Sequence, residues 1–143
     1  MSTPLRSTGR LAGVGLTAAI VELTVTTAYI HLSLGGLLFT LNAAGYLVLA
    51  LAVAIGAASP HPLIGRFSWL PRLGLAGYTL ATIGGYLVMG PFFALGWVAK
   101  AIEVAILTLL AADVIRVYGS PAGLVRAALA SLPGFGARGL RRA

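Results

Sequence analysis

Four long apolar runs are the feature that most constrains how this chain can fold. An apolar run of about 18 or more residues can cross the hydrocarbon core of a bilayer, roughly 30 Å thick, as a helix. The runs cover residues 11–34, 36–58, 73–89 and 95–117. Only 9% of the residues are charged, against about 25% in an ordinary soluble domain. The sequence therefore predicts an all-α integral membrane protein that crosses the membrane four times, with residues 1–143 forming a single transmembrane domain.

The links between the runs predict how the spans are arranged. Gly35 and Gly36 leave almost no loop between the first two runs, and Gly90 and Pro91 break the chain between the last two. Short links of this kind favour antiparallel helical hairpins. The longer link, residues 59–72, has three prolines and two arginines and is predicted to be a loop lying against the lipid headgroups. We expect an up-down-up-down four-helix bundle.

The positions of the basic residues predict the orientation. Of the ten lysines and arginines, all except Lys100 lie before the first run, in the long link, or at and beyond the end of the fourth run. The positive-inside rule then places both termini and the long link in the cytoplasm, for a multi-pass protein of the cell membrane. A cleaved signal peptide ending at Ala28 is the alternative for the first run. That run is longer than a usual signal sequence and contains Glu22, which favours a span.

The C-terminal segment, residues 120–143, is predicted to be a cytoplasmic basic tail. Its first part has an amphipathic pattern and predicts a short helix lying on the inner leaflet, and its last part carries Arg138, Arg141 and Arg142. We expect this tail to contact anionic lipid; the alternative is a disordered tail. Nucleic-acid binding is not expected, because the basic residues are dispersed and no aromatic platform accompanies them.

Two polar stripes run along the first span. At 100° per residue, Glu22 and Tyr29 share one stripe with Thr26 and Ser33, and we expect this stripe to face the protein. His31 falls on the opposite side of the helix. It is predicted to lie in a lateral groove, at the outer interface or against another subunit.

Further polar residues share one predicted depth in the membrane. An unpaired charge near the centre of a span costs roughly 2.5–3.5 kcal/mol, so we expect Lys100 to pair with Glu103 or with Glu22, the remaining carboxyl being neutral. Asp113 and Arg116, near the cytoplasmic end, predict an ordinary boundary pair. The candidate polar site comprises Glu22, Tyr29, Asn42, Tyr46, Tyr86, Lys100 and Glu103, with His31 as a secondary candidate.

Three roles for this polar site stay open on sequence alone: a structural clamp between the first and fourth helices, a ligand or proton site, and an interface with another protein. No known catalytic motif is present and there are no cysteines, so thiol chemistry is excluded. No cofactor or metal is expected, because His31 and His61 would lie on opposite sides of the membrane.

The function we expect first is that of an accessory or structural subunit of a membrane complex. A small transporter or proton-coupled carrier using the Glu/Lys site is the alternative, and a membrane enzyme acting on a lipid or quinone is third. Gly77, Ala81 and Gly85 recur every four residues, a spacing that favours close helix packing within the chain, in a homo-oligomer or in a larger complex.

Overall fold

A computed structural model describes residues 4–132, with side chains from residue 9 onward. Over this range the chain is all-helical, without strands, as the sequence predicts. Each of the four apolar runs forms one long helix. The helices are α1 (Pro4–Leu34), α2 (Leu37–Ala58), α3 (Pro62–Arg66), α4 (Trp69–Met89), α5 (Ala94–Tyr118) and α6 (Pro121–Ser131). The short helix α3 lies in the link that the sequence predicts to be a loop.

Glycines with positive φ angles end two of the long helices. Gly35 and Gly36 have φ angles of 72° and 84°, in the left-handed region that other residues rarely adopt, and they turn the chain from α1 into α2 with no further loop. Gly119 ends α5 in the left-handed conformation, with its N–H donating to the carbonyl of Ile115. This is a common helix C-terminus. The α4–α5 connection is also short and spans residues 90–93.

Two stretches of helix, Gly9–Leu34 and Leu37–Ala58, have the length and apolar composition needed to cross a membrane. Core helices of soluble proteins and signal sequences meet the same criterion, so these two stretches are weak evidence for a membrane location. The spans over α4 and α5 stay a prediction.

The four long helices pack in a closed order around one core. Helix α1 packs against α2 and α5, and α4 packs against the same two helices. The side chains at the centre are almost completely buried. They include Ile20 from α1, Tyr46 and Val53 from α2, Leu75 from α4 and Ile106 from α5.

The arrangement has two distinct ends. The α1–α2 and α4–α5 connections line one cavity together, with Leu34 and Leu38 on one side and Pro91 on the other; we call this the connection end. At the opposite end a second cavity is lined by Arg10 near the start of α1 and by Arg116 near the end of α5. We call this the basic end.

The short helix predicted after residue 120 is present as α6, but it packs on the protein. The Ser120 hydroxyl accepts a hydrogen bond from the Gly123 N–H at 3.0 Å, which caps the helix. Leu124 is buried, and α6 contacts α5 and α4. At its end, the Ser131 carbonyl accepts from Arg66 at 2.7 Å. The rest of the predicted basic tail, residues 133–143, lies outside the described residues.

Candidate functional site

A buried carboxylate is the centre of the polar cluster near the connection end. Glu103 of α5 is fully buried, and Lys100, one turn earlier, is 7% exposed. The Lys100 ammonium donates to Glu103 Oε2 at 2.5 Å. Of the two pairings that the sequence allows for Lys100, the structure has the one within α5. The pair is neutral as a unit, which lowers the cost of burying both charges.

The other carboxylate oxygen faces a histidine. His31 Nδ1 lies 2.7 Å from the carbonyl oxygen of Thr27, and because a carbonyl only accepts, Nδ1 must carry a proton. The second ring nitrogen, Nε2, lies 3.7 Å from Glu103 Oε1. In a neutral ring Nε2 presents a lone pair to the carboxylate, which is repulsive. A proton on either Nε2 or Glu103 makes the contact favourable, so the pair is a place where one proton can be held.

Hydroxyl groups extend the cluster toward α2 and α4. The Thr82 hydroxyl lies 3.1 Å from Glu103 Oε2, and the Tyr46 hydroxyl lies 2.6 Å from Thr82. Tyr46 can donate to Thr82 while Thr82 donates to Glu103, which forms a continuous chain of hydrogen bonds. The Thr82 hydroxyl is also 2.9 Å from the carbonyl of Thr79. We use the name polar cluster for Thr27, His31, Tyr46, Thr82, Lys100 and Glu103.

A cavity of about 420 Å³ opens beside the polar cluster. Its walls are mostly apolar, and exposed residues such as Leu38, Leu41 and Met89 lie at its edge, so the cavity reaches the protein surface. Tyr86 lies against the buried ammonium, whose nitrogen is 5.6 Å from the centre of the Tyr86 ring. The polar side chains that line the cavity are His31, Asn42, Tyr78, Thr82, Tyr86 and Lys100. Apolar walls with a few convergent polar groups are typical of small-molecule sites.

The structure brings together five of the seven residues of the predicted site. Tyr46, Lys100 and Glu103 belong to the polar cluster, and Asn42 and Tyr86 line the cavity. His31, the secondary candidate, belongs to both.

Two predicted site residues lie elsewhere. Glu22 is exposed and Tyr29 is 71% exposed, so the prediction that their stripe faces the protein is wrong. The opposite face of α1 is buried, with Thr27 fully buried and His31 only 4% exposed. Its side chains are compact, and the Thr24 hydroxyl donates to the Ile20 carbonyl of its own helix at 2.6 Å. That face therefore packs closely with few polar groups left unsatisfied.

Two members of the polar cluster are missing from the predicted site. Thr27 lies four residues before His31 and shares its face of α1, and Thr82 lies between Tyr78 and Tyr86 at the same spacing on α4. These spacings are visible in the sequence. Neither Thr27 nor Thr82 carries a charge, so the energetic cost of burying a charge, which points to Lys100 and Glu103, does not point to these two threonines.

A second buried ion network lies at the basic end. Arg72 Nε donates to Asp113 Oδ2 at 2.8 Å, and Arg116 Nη2 donates to Asp113 Oδ1 at 2.6 Å. Asp113 is 1% exposed and Arg72 is 3% exposed. The prediction of an ordinary boundary pair is therefore wrong. The sequence pattern places Arg72 in a loop, whereas in the structure α4 begins at Trp69 and Arg72 is buried.

Comparison of this chain with protein families, with curated proteins and with solved structures found no match. Among the described residues, no group of three His, Cys, Asp or Glu side chains is placed to hold a metal ion.

Proposed function

We propose that this chain is a membrane-embedded, four-span up-down-up-down bundle that binds a small amphipathic acid in the connection-end cavity together with one proton, as a proton-coupled carrier does. The observation that supports this function is the position of the His31–Glu103 pair. One proton can be held between His31 Nε2 and Glu103 Oε1, and His31 lines a cavity of suitable size for a small ligand.

Apolar side chains on the outer faces of all four long helices support membrane insertion. Examples are Leu11 on α1, Val48 on α2, Leu80 on α4 and Val104 on α5, which are 71%, 66%, 58% and 54% exposed. Apolar surfaces of this extent are rare on water-soluble monomers. The shortest of the four helices, α4, has 21 residues, which at a rise of 1.5 Å per residue is about 31 Å, enough for the hydrocarbon core.

The charges of α4 and α5 do not oppose insertion of these two helices. Arg72, Lys100, Glu103 and Asp113 are each at most 7% exposed, and each takes part in an ion pair. Lipid would therefore meet mainly the apolar outer faces of α4 and α5. Paired, inward-facing charges of this kind are the form in which ionisable residues occur within membranes.

The positive-inside rule supports a cytoplasmic location for the basic end, with both termini on that side. Because the chain has no cysteine, single cysteines test this orientation without background. Leu37 is 76% exposed near the α1–α2 connection, and Gly65 is exposed in α3 with open space around its Cα. Leu37→Cys should react with a membrane-impermeant maleimide in intact cells, and Gly65→Cys should react only after lysis. The reverse pattern would contradict the orientation.

The charge balance of the polar cluster supports an acidic ligand. The charges of Lys100 and Glu103 cancel within their pair, so the cluster attracts an anion only when one further proton is present. His31 is placed to take that proton, because its Nε2 faces Glu103. Around His31, the titratable groups are Tyr46 from α2 and the Lys100–Glu103 pair from α5. Binding a carboxylate together with one proton leaves the cluster neutral, which is the favourable state in a region of low dielectric.

The apolar walls of the cavity favour an alkyl chain attached to the acidic group. Because exposed apolar residues such as Leu41 and Met89 line its edge, a ligand would reach the cavity from the membrane. The polar groups beside it, Asn42 and Tyr86, can hydrogen-bond to the head of the ligand. Roles as an accessory subunit or as an enzyme remain predictions from the sequence, and no contact in the structure favours either.

The test uses decanoate as the probe and 1-decanol, which has the same alkyl chain, as the neutral comparison. Binding to the purified protein in detergent is measured by calorimetry. We expect decanoate to bind more tightly than decanol, and His31→Gln, which removes the group placed to take up the proton, to weaken decanoate binding about tenfold or more. Glu103→Gln leaves the charge of Lys100 without its partner and should not weaken decanoate binding.

Glu22→Gln is the matched control, because Glu22 also lies within a long helix but is exposed and away from the cavity. It should leave decanoate binding unchanged. Equal binding of acid and alcohol, or the same loss for Glu22→Gln as for His31→Gln, would contradict the proposed function.

A further inference from the structure

The cavity at the basic end has an excess of positive charge. Two guanidinium groups, those of Arg72 and Arg116, face the single carboxylate of Asp113, so the buried network has a net charge of about +1. Arg10 lines the same cavity and adds a further positive charge. The chain has only three acidic side chains, and the other two, Glu22 and Glu103, do not line this cavity. The excess positive charge is carried by guanidinium groups that line the cavity, so this cavity is suited to an external anion.

The arginines also have hydrogen-bond donors to spare. Arg72 uses Nε for Asp113 and Nη1 for the Ser68 carbonyl, and Arg116 uses Nε and Nη2 for Asp113. Arg72 Nη2 and Arg116 Nη1 make no hydrogen bond to any residue in the described part of the chain. Both arginines line the cavity. Guanidinium groups with free N–H donors bind phosphate oxygens with good geometry.

The shape of the cavity favours a lipid as the source of the phosphate. Its volume is about 660 Å³, which exceeds what an inorganic phosphate needs. Away from the arginines, the walls are formed by small or apolar residues of α1 and α2, including Val14, Val21 and Ala54. In the proposed membrane orientation these residues lie on the bilayer side of the arginines. Acyl chains can therefore lie along α1 and α2 while the headgroup contacts the arginines.

Gly13 makes room for this arrangement. The Arg116 guanidinium lies directly against it, and a Cβ added at Gly13 would come within 2.6 Å of Arg116 Nη1. The missing side chain thus lets Arg116 reach across from α5 to α1 and contribute to the wall of the cavity. Arg116 remains 39% exposed on its side chain, so its guanidinium is accessible to a ligand.

We propose that the basic-end cavity, formed around Arg10, Arg72 and Arg116, is a binding site for the phosphate headgroup of an anionic phospholipid. The site is separate from the connection-end cavity, and it rests only on the membrane location in the proposed function. Anionic lipid on the cytoplasmic side of a membrane attracts each nearby arginine by an amount that corresponds to about a fivefold change in affinity.

The test measures, by calorimetry, the affinity of the full-length protein in neutral detergent for short-chain phosphatidylglycerol, for phosphatidylcholine of the same chain length, and for inorganic phosphate. We expect phosphatidylglycerol to bind at least fivefold more tightly than phosphatidylcholine. Arg10→Gln and Arg116→Gln should each weaken its binding about fivefold. Arg10 takes no part in the described ion network, so the affinity of Arg10→Gln for phosphatidylglycerol tests the proposal if Arg116→Gln fails to fold.

Arg126→Gln is the matched control, because Arg126 is an exposed arginine of α6 that does not line the cavity. Its effect should be less than twofold. An equal loss for Arg126→Gln and Arg10→Gln would mean general electrostatic attraction and would overturn the proposal, as would equal affinity for the two lipids. Inorganic phosphate that binds as tightly as phosphatidylglycerol would overturn the lipid assignment. A protein that stays in solution without detergent would instead contradict the membrane location itself.

Discussion

Replacing Lys100 with methionine removes the ammonium group that donates to Glu103. In the parent protein the Lys100 ammonium lies 2.5 Å from Glu103 Oε2, and Glu103 is completely buried. Breaking a buried ion pair by removing one partner costs about 3–5 kcal/mol. The Thr82 hydroxyl, 3.1 Å from Glu103 Oε2, still stabilises the carboxylate after the substitution. We therefore expect Lys100→Met to lower the free energy of unfolding by about 3 kcal/mol, at the lower end of that range.

A second substitution separates loss of charge balance from loss of packing. In Lys100→Met with Glu103→Gln, no uncompensated charge remains, so the double variant should return to within about 1 kcal/mol of the parent. Glu22→Gln changes an exposed carboxyl and should stay within about 0.5 kcal/mol. The measurement is denaturant unfolding of the purified protein in neutral detergent, followed by circular dichroism.

A Lys100→Met variant as stable as the parent, or a double variant no more stable than Lys100→Met, would refute the view that Lys100 and Glu103 form a buried pair.

Three further outcomes follow from contacts elsewhere in the protein. Gly45→Ala should lower the free energy of unfolding by about 1–3 kcal/mol, since the Cβ of the new alanine would overlap the hydroxyl of Tyr78. Gly77→Ala is the matched control and should be neutral or stabilising, because open space surrounds Gly77. Asp113→Asn should cost about 3–5 kcal/mol, because two arginines then lose their counter-charge. Ser120→Ala removes the N-cap of α6 and should destabilise that helix by about 1 kcal/mol. Amide hydrogen exchange should therefore become faster in α6 and stay unchanged in α2.

The positions of the long helices could be predicted from the sequence because they depend on local features. Apolar runs set their lengths, and glycines stand at four of their eight ends, namely Gly35, Gly36, Gly90 and Gly119. The sequence does not predict the short helix α3. The three prolines and two arginines of that link indicate a loop. In the structure, Pro62 occupies the first turn of α3, where proline is well tolerated, and the His61 side chain accepts from the Leu63 N–H.

Which face of α1 turns inward could not be decided from α1 alone. Glu22 and His31 mark two opposite polar stripes, and helical periodicity does not indicate which of the two stripes faces the other helices. The choice depends on α5, where Glu103 already has Lys100 as a partner and places its other oxygen toward His31. In the same way, the burial of Asp113 depends on Arg72, which is 41 residues away in the chain. Pairings between distant residues leave no periodic pattern within one helix.

Uptake of one proton when an acidic ligand binds is the central property of the proposed function. Calorimetry of decanoate binding in two buffers that differ in ionisation enthalpy measures the number of protons taken up per ligand. We expect about one proton for the parent protein and about none for His31→Gln, since His31 is the group placed to receive it. Decanoate binding without proton uptake by the parent, or with the same uptake by His31→Gln, would contradict the account.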